Sequence, residues 1–596
     1  MYIKKASITP DKVLAGDSET IEIRLIAGKD FSAKGTRIIF DFPATLGFAR
    51  PADYDQEDDG YVEILVSNPG VKYKKRVWDM EILDFPTENK TSFKGMAQRI
   101  YVLDFIDGQM KEDDEIVLCW GISRNGMSIG AKMGTLVPKP NYQCAVDVRY
   151  YTDSNRGLPE LGRDFKGYTR PKAGQELSLS LSIKPREYKS MRAIRKGSKV
   201  FVQLKDKFHN IVDSQEAERT LEKLGLEGIG HFNDSGIYET DVKEAGDRNI
   251  KITPDMQNVF EGKNIYFGDL HTHSSHSNDC IEREKMTMTP HDTFEYGRNT
   301  ACLDFMAVTD HHQPWDIERN KIGFNPWVKL TEVAKTKTAE GEFLAFPGFE
   351  FRGPRGDTAV ILKETPDYNT IDDPALSDIR KIWSAIDKDN LLTIPHYHNP
   401  GSLDEDEWYC DLAVEPVQEI YSCHGSYEDN GSIERSVPRI KSKRKDRYAR
   451  YILNKGYRYG LVCNSDGHKG NPGTNGLTAV YSKELTKDSI FKAIKNRHVY
   501  GTTNARIKLL FTLNDRLMGS EIERADIYKF HIEAEAEDKI KYLDLICDGE
   551  ITHRFTPGSE VFIESGNINK ITGYMYVKVV QMDNHMAYSS PVFIKS

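Results

Sequence analysis

The sequence predicts a multidomain protein that joins an α/β region to all-β regions, and three observations predict it. Alternating, β-branched segments fill the first 255 or so residues. From about residue 260 to about 505, short apolar strands alternate with amphipathic helices. Beyond that, period-two alternation returns. With 596 residues the chain is too long for one hydrophobic core, so several domains are expected.

The front region reads as strands at 20–26, 36–42, 177–183 and 200–206. Each alternates or is β-branched, and Gly, Pro, Asp and Asn clusters separate them. Two sandwich-like modules are expected, 1–140 and 141–258, divided near Pro138, Pro140 and Asn141. In the central region, 259–505, strands are expected at 265–270, 305–309, 343–346, 359–362, 391–394, 417–422 and 460–464. Helices are expected at 290–299, 374–388, 447–454 and 486–496. Repeated strand–helix units argue for a parallel sheet that can close into a barrel. The segment 506–596 reads as a C-terminal β domain, with good alternation over 526–534 and 574–581.

Composition narrows the function. Hydrophobic residues make up 39% and charged residues 29%, as in an ordinary globular protein. The formal charge of −10, and the absence of a stripe of interleaved basic and aromatic residues, argue against nucleic acid as a partner. No apolar run is long enough to span a bilayer, and no signal-peptide core stands at the start, so a cytoplasmic protein without a membrane partner is expected. The eight cysteines are scattered without a CxxC pair, which fits free thiols in a reducing compartment. A homo-oligomer is compatible with the sequence.

Six clusters carry chemistry, each at the end of a predicted strand. The first is His271 and His273 with Asp279. Side chains two apart on a strand share a face, so the two imidazoles can hold one ion without backbone distortion. The others are Asp310-His311, Glu350, His396, His424, and Asp466 with His468. Imidazole with carboxylate suits zinc, manganese or iron, and a carboxylate such as Glu350 can bridge two ions. Any one cluster alone has an ordinary explanation: a surface histidine, a helix cap, or a pairing of Glu350 with Arg352. Their joint placement at matching strand ends is what points to a site. His276, His291, His312 and His398 lack that placement, although His398 and Tyr397 lie close enough in sequence to reach a substrate.

These residues resemble the polymerase and histidinol phosphatase (PHP) superfamily of metal-dependent phosphoesterases. The resemblance runs through HTH with Asp279, TDH, the glutamate of GFE, IPH and SDGH. The phrases GDLHTH, EIYSCHGS, NSDGHKGNPG and YGTTNARI are similar to those of its large hydrolase branch of unassigned function. The resemblance covers roughly residues 260–596. It implies a distorted (β/α)7 barrel with its site at the strand C-termini, flanked by N-terminal sandwich-like modules and a C-terminal β domain. It implies two or three divalent ions, zinc first, then manganese or iron. His271, His273, Glu350 and Asp466 would hold one; Glu350, His396 and His424 a second; Asp279, His311 and His468 a third. Asp310 would support the ligands from behind. Asn278-Asp279 departs from the Asp-Gly pair common in the group, which bears on the third ion.

The expected activity is hydrolysis of a small, anionic phosphoester by a metal-bridging hydroxide. His398, His312 and Tyr397 are the candidates for protonating the leaving group, and Arg352, Arg355 and Lys469 for contacting the anion, with surface charge the plainer reading of Arg355. Two alternatives stand beside this. One is hydrolysis of another ester class (a sulfate ester, phosphotriester or carboxyl derivative) at the same ions. The other is a non-catalytic binding protein with a relic metal site.

Overall fold

A computed structural model describes residues 1–42, 61–77, 100–121, 131–132, 142–152, 173–233, 235–250, 252, 254–277, 280, 288–314, 322–353, 355–400, 409–429 and 448–595. They form two compact units, one chiefly Met1–Met191 with Gln203–Glu227, the other chiefly Gly228–Ile281 with Met286–Ser596.

The first unit packs two sheets, antiparallel but for Lys12–Leu14, which runs parallel to Gln175–Lys184. One orders Ile3–Thr9, Ile21–Ala27, Glu115–Trp120 and Val62–Val66. The other includes Gln175–Lys184, Tyr142–Tyr151, Arg37–Asp41 and Ile100–Asp107, in that order. Ile21, Ile23 and Leu25 alternate with half-buried residues and meet Ile38, Phe40, Leu103, Val146 and Leu181 in one core. The proposed break near residue 140 lies outside the described residues. Tyr142–Tyr151 pairs directly with Arg37–Asp41, so strands on both sides of it share one sheet.

The second unit carries a strand at each position predicted for the central region. Val417–Ser422 matches fully, Phe305–Val308 and Gly460–Cys463 end one residue early, Asn264–Asp269 is shifted back by one, and Leu344–Gly353, Gly356–Leu362 and Leu391–Pro400 run longer than expected. Both faces of these strands are buried, with a period of two. Phe305 and Ala307 face one core with Leu344, Phe346, Ile361 and Ile394. Met306 and Val308 face another with Ala345, Val360 and Leu362. Fully burying each of the large side chains contributes about 1.5–3 kcal/mol.

How the strands pair overturns the expected (β/α)7 barrel. Strand accounts for 46% of the described residues and helix for 15%, whereas such a barrel needs a helix after every strand. Asn264–Asp269, Phe305–Val308 and Leu344–Gly353 do run parallel. Only two residues then separate Leu344–Gly353 from Gly356–Leu362, a connection that can join only antiparallel neighbours. Leu391–Pro400 is antiparallel again, and on the other flank Leu477–Ser482 runs antiparallel to Asn264–Asp269. The sheet continues through Val499–Thr502, Met586–Ser589 and Tyr574–Gln581 to thirteen strands. The architecture is therefore mostly β, with mixed sheets. Val417–Ser422 and Gly460–Cys463 form a separate parallel pair.

The predicted helices appear, the first at its expected length and the other three shorter. Pro290–Glu295 starts at a Thr289–Asp292 capping box and continues as a π turn to Thr300. Ile379–Ala385, Ala449–Asn454 and Lys487–Lys495 are the others. None among the described residues is long and apolar enough to cross a membrane. All eight cysteines are free thiols, and six of them are buried.

Candidate metal centre

Strand ends bring eight of the nine expected ligands together: His271, His273, His311, Glu350, His396, His424, Asp466 and His468. Asp279 lies outside the described residues. His271 and His273 follow the end of Asn264–Asp269, and Glu350 and His396 project from within Leu344–Gly353 and Leu391–Pro400. Backbone pairings join the ligand loops. Thr272 bridges Gly467, His311 bridges Glu350, and the Asp466 amide donates to the His271 carbonyl at 2.8 Å. Asp466 sits at φ +46°, a left-handed conformation that Asp tolerates better than most residues.

Glu350 and Asp466 each face two ways. Glu350 Oε1 lies 2.6 Å from His396 Nε2 and 3.8 Å from His271 Nε2. Its Oε2 lies 2.8 Å from His311 Nδ1 and 3.4 Å from His273 Nε2. Asp466 Oδ1 lies 3.5 Å from His271 Nε2 and 3.3 Å from His273 Nε2, while Oδ2 lies 2.9 Å from His424 Nε2. The ligand atoms fall into four groups: His271, Glu350 and His396; His271, His273 and Asp466; His273, His311 and His468; and Cys423, His424 and Asp466. His424 thus joins Asp466, where the resemblance had set it beside Glu350.

The hydrogen bonds behind the ligands fix which nitrogen each imidazole offers. His271 Nδ1 meets Glu419 Oε2 at 3.1 Å, and the carboxylate can only accept, so Nδ1 carries a proton and Nε2 is the nitrogen turned inward. His273 Nδ1 meets Ser277 Oγ at 2.9 Å, and that hydroxyl donates onward to Asp310 Oδ1 at 2.9 Å. Asp310 also accepts from the Ser274 amide and hydroxyl, at 2.7 and 2.6 Å. Asp310 therefore aligns His273 through a serine. His468 Nδ1 donates to the Asp466 carbonyl at 3.0 Å.

Inward, the result is a concentration of ligand atoms. His271 Nε2, His273 Nε2, Glu350 Oε2 and Asp466 Oδ2 are all buried, and none makes a hydrogen bond of good geometry. Burial alone would push His271 down, but Asp466 and Glu419 hold it well above the ordinary histidine range, which favours a proton there that a bound cation would displace. His273 falls to about 4, first through burial and then through the neighbouring His468 and His311. Burial opposes ionisation of Glu350 and Asp466, yet the surrounding histidines keep both well below the usual carboxylate range.

The other expected residues divide. His312 is buried with both nitrogens occupied: Nε2 donates to the Ile371 carbonyl at 3.0 Å and Nδ1 accepts the Ile322 amide at 3.2 Å. Arg352 makes a bidentate pair with Asp357, at 2.7 and 2.9 Å, and not with Glu350. Arg355 is buried, where surface charge was the plainer expectation; it clamps Glu415 with two donors and reaches the Tyr409 carbonyl. Lys469 is buried beside Cys423. The side chains of Tyr397 and His398 lie outside the described residues.

Two carboxylates escaped the sequence reading. Glu419 holds His271 Nδ1 and accepts Asn464 Nδ2 at 2.9 Å. Asp269, fully buried, accepts the amides of Ser465 at 3.0 Å, His271 at 3.2 Å and Gly473 at 2.8 Å. Burial lifts it to about 6 against those hydrogen bonds. Its position directly before Leu270-His271 was the available signal, since a carboxylate at a strand end can bind loop amides.

A family model described as a protein of unknown function (DUF3604) matches residues 430–536, which include Asp466 and His468. Over 405 residues, or 61% of this chain, the sequence is 24% identical to a protein of Chlamydia pneumoniae and 22% identical to one of Chlamydia muridarum, both described as uncharacterized. A Chlamydia trachomatis protein, likewise uncharacterized, is 21% identical. The match spans 63% of each relative's own length. Among solved structures, AvmM, described as catalysing macrocyclization in alchivemycin A biosynthesis, aligns at 8% identity with a TM-score of 0.15, over 32% of this chain and 92% of its own. A calcium-binding mutant of Bacteroides uniformis beta-glucuronidase 2 aligns at 8% identity with a TM-score of 0.14, over 99% of this chain and 75% of its own. Scores this low carry neither fold nor function.

Proposed function

We propose that the chain is a metal-dependent hydrolase of ester bonds, with phosphoesters as the first substrate class. One observation carries this reading. Two imidazole nitrogens, of His271 and His273, and two carboxylate oxygens, of Glu350 and Asp466, are buried in one cluster without a hydrogen bond of good geometry. Unpaired buried acceptors cost free energy that a cation recovers. The donors fit such a group: nitrogen and oxygen in clusters of three, each histidine aligned from behind by a carboxylate, serine or carbonyl. The set suits zinc, manganese or iron, at two or three positions.

Divalent ions held there would supply Lewis-acid charge and lower the pKa of water toward neutrality. The chain's own residues do the rest. Glu350 and Asp466 hold the ligand groups together, Glu419 and Asp310 fix the imidazoles, and Asp269 ties the loop after the first strand to the Ser465–Gly473 loop. Buried Lys469 adds positive charge near Cys423. The motif resemblance to the PHP superfamily supports the same reading.

The test is elemental analysis of the purified protein, followed by turnover of aryl phosphate mono-, di- and triesters and aryl sulfate after loading with zinc, manganese or iron. Transition metal in the protein and phosphoester turnover lost in His271→Ala and Asp466→Asn are expected. A protein holding no transition metal and turning over no ester in any loading would overturn the proposal. Turnover of the sulfate alone would reassign the substrate class.

A further inference from the structure

The fourth ligand group contains an atom type the other three lack. Cys423 Sγ, an imidazole nitrogen of His424 and a carboxylate oxygen of Asp466 lie within 4.8 Å of one another. Cys423 stands one residue past Val417–Ser422, where its amide donates to the Ser465 carbonyl at 3.1 Å and its thiol to the Asp466 carbonyl at 3.3 Å. Those two bonds hold the sulfur against the backbone of the ligand loop. On the side chain of the same aspartate, Oδ2 is buried without a hydrogen bond and lies 2.9 Å from His424 Nε2. Asp466 Oδ1 is turned the other way, toward His271 and His273. One carboxylate therefore spans two ligand groups, and the outer of them includes a thiol. Among the described residues no other cysteine joins such a group within this unit; Cys463, on the neighbouring strand, is packed against Gly501.

We propose that Cys423, His424 and Asp466 form a sulfur-ligated metal position, joined to the imidazole–carboxylate positions through Asp466. This rests on the metal-centre reading above and goes beyond it by assigning a ligand and a metal preference. A thiolate beside imidazole and carboxylate favours zinc, iron or cobalt over manganese, while the nitrogen and oxygen groups accept all of them. The centre is then chemically uneven: manganese fills its inner positions and leaves the outer one weakly held. Binding there replaces the thiol proton by the metal, and the proton leaves to solvent.

Cobalt substitution tests this in the full chain. Metal is removed with a chelator, cobalt(II) is added, and the near-ultraviolet sulfur-to-cobalt charge-transfer band is followed. The wild type should develop the band. Cys423→Ser should lose it and bind about one ion fewer per chain, while Cys463→Ser should keep both. Zinc-edge X-ray absorption on the wild type gives a readout that does not depend on a variant folding: a sulfur neighbour at about 2.3 Å is expected. Cobalt binding without the band, a band that survives in Cys423→Ser, or zinc with no sulfur neighbour would each overturn the assignment and leave the hydrolase reading standing. No cobalt or zinc binding at all would overturn both.

Discussion

Glu419 supplies no atom to the ligand groups, yet it decides which nitrogen of His271 faces them. Replacing it with Gln removes the charge and weakens the hold on Nδ1–H. Metal affinity should fall about 10–100-fold in Glu419→Gln, read by competition with a chromophoric chelator, while the melting temperature of the metal-free protein changes little. A large loss of metal-free stability with unchanged affinity would contradict this role. Asp310→Asn should weaken binding by a similar factor through Ser277, since only a carboxylate accepts from both serine hydroxyls and the Ser274 amide. The clustering residues were legible because each follows an apolar run, although Glu350 and His396 lie within strands that continue past them. Glu419 was not, because a charged residue inside Val417–Ser422 reads as a solvated sheet position until the partner strands are known. His312 and Arg355 were illegible for the same reason: their partners, Ile322, Ile371 and Glu415, come from elsewhere in the chain.

Elements set the register that aligns these residues. Gly268 lies where the first ligand strand passes Phe305, and a Cβ there would overlap both the ring and the carbonyl oxygen of Phe305. Gly268→Ala should therefore displace the strand that leads to His271 and His273, lowering both metal content and melting temperature. Farther along, Glu428 follows the His424 loop and is fully buried. It accepts from Arg450 at 2.8 Å, Tyr576 at 2.7 Å and Lys578 at 2.7 Å. Burial opposes its ionisation, but Lys578 and Arg450 bring it down to about 2 from 4.5. A depressed carboxylate stabilises the fold above its unfolded value and loses that contribution as pH falls toward its folded value. The window is thus about pH 4.5 down to about 2, with a contribution on the order of 3 kcal/mol. Urea midpoints across that range should fall less steeply in Glu428→Gln than in the wild type, from a lower starting stability, because the variant removes the buried charge that Lys578 and Arg450 both contact. Strands and helices were legible one by one from their period. Pairing direction was not, because parallel and antiparallel neighbours buried on both faces share the same apolar pattern, and the two-residue link at Gly353–Gly356 was the one local sign against a barrel.

At the scale of the whole molecule, metal and stability are linked. Any ion that binds the folded chain and not the unfolded one raises its stability, by about 2.7 kcal/mol at a hundredfold excess over Kd. Thermal unfolding should therefore shift downward on chelation and recover on adding zinc, with His271→Ala showing a smaller shift. An identical melting temperature with and without chelator would argue that no ion is bound. The front of the chain was legible as β-rich, but its partition was not: Tyr142–Tyr151 crosses back to Arg37–Asp41, a contact spanning more than a hundred residues that no local composition marks.

The thirteen-stranded sheet has a consequence in time. Asn264–Asp269 is synthesised well before its sheet partners, for the sheet is continuous through Leu477–Ser482 and Val499–Thr502 to Met586–Ser589 and Tyr574–Gln581. Glu428 and Ser426, just past His424, take their partners Lys578 and Tyr588 from those last strands. A nascent chain lacking those strands carries the histidines while the segment after His424 is still without these partners, so on the metal-centre reading ion capture would follow their arrival.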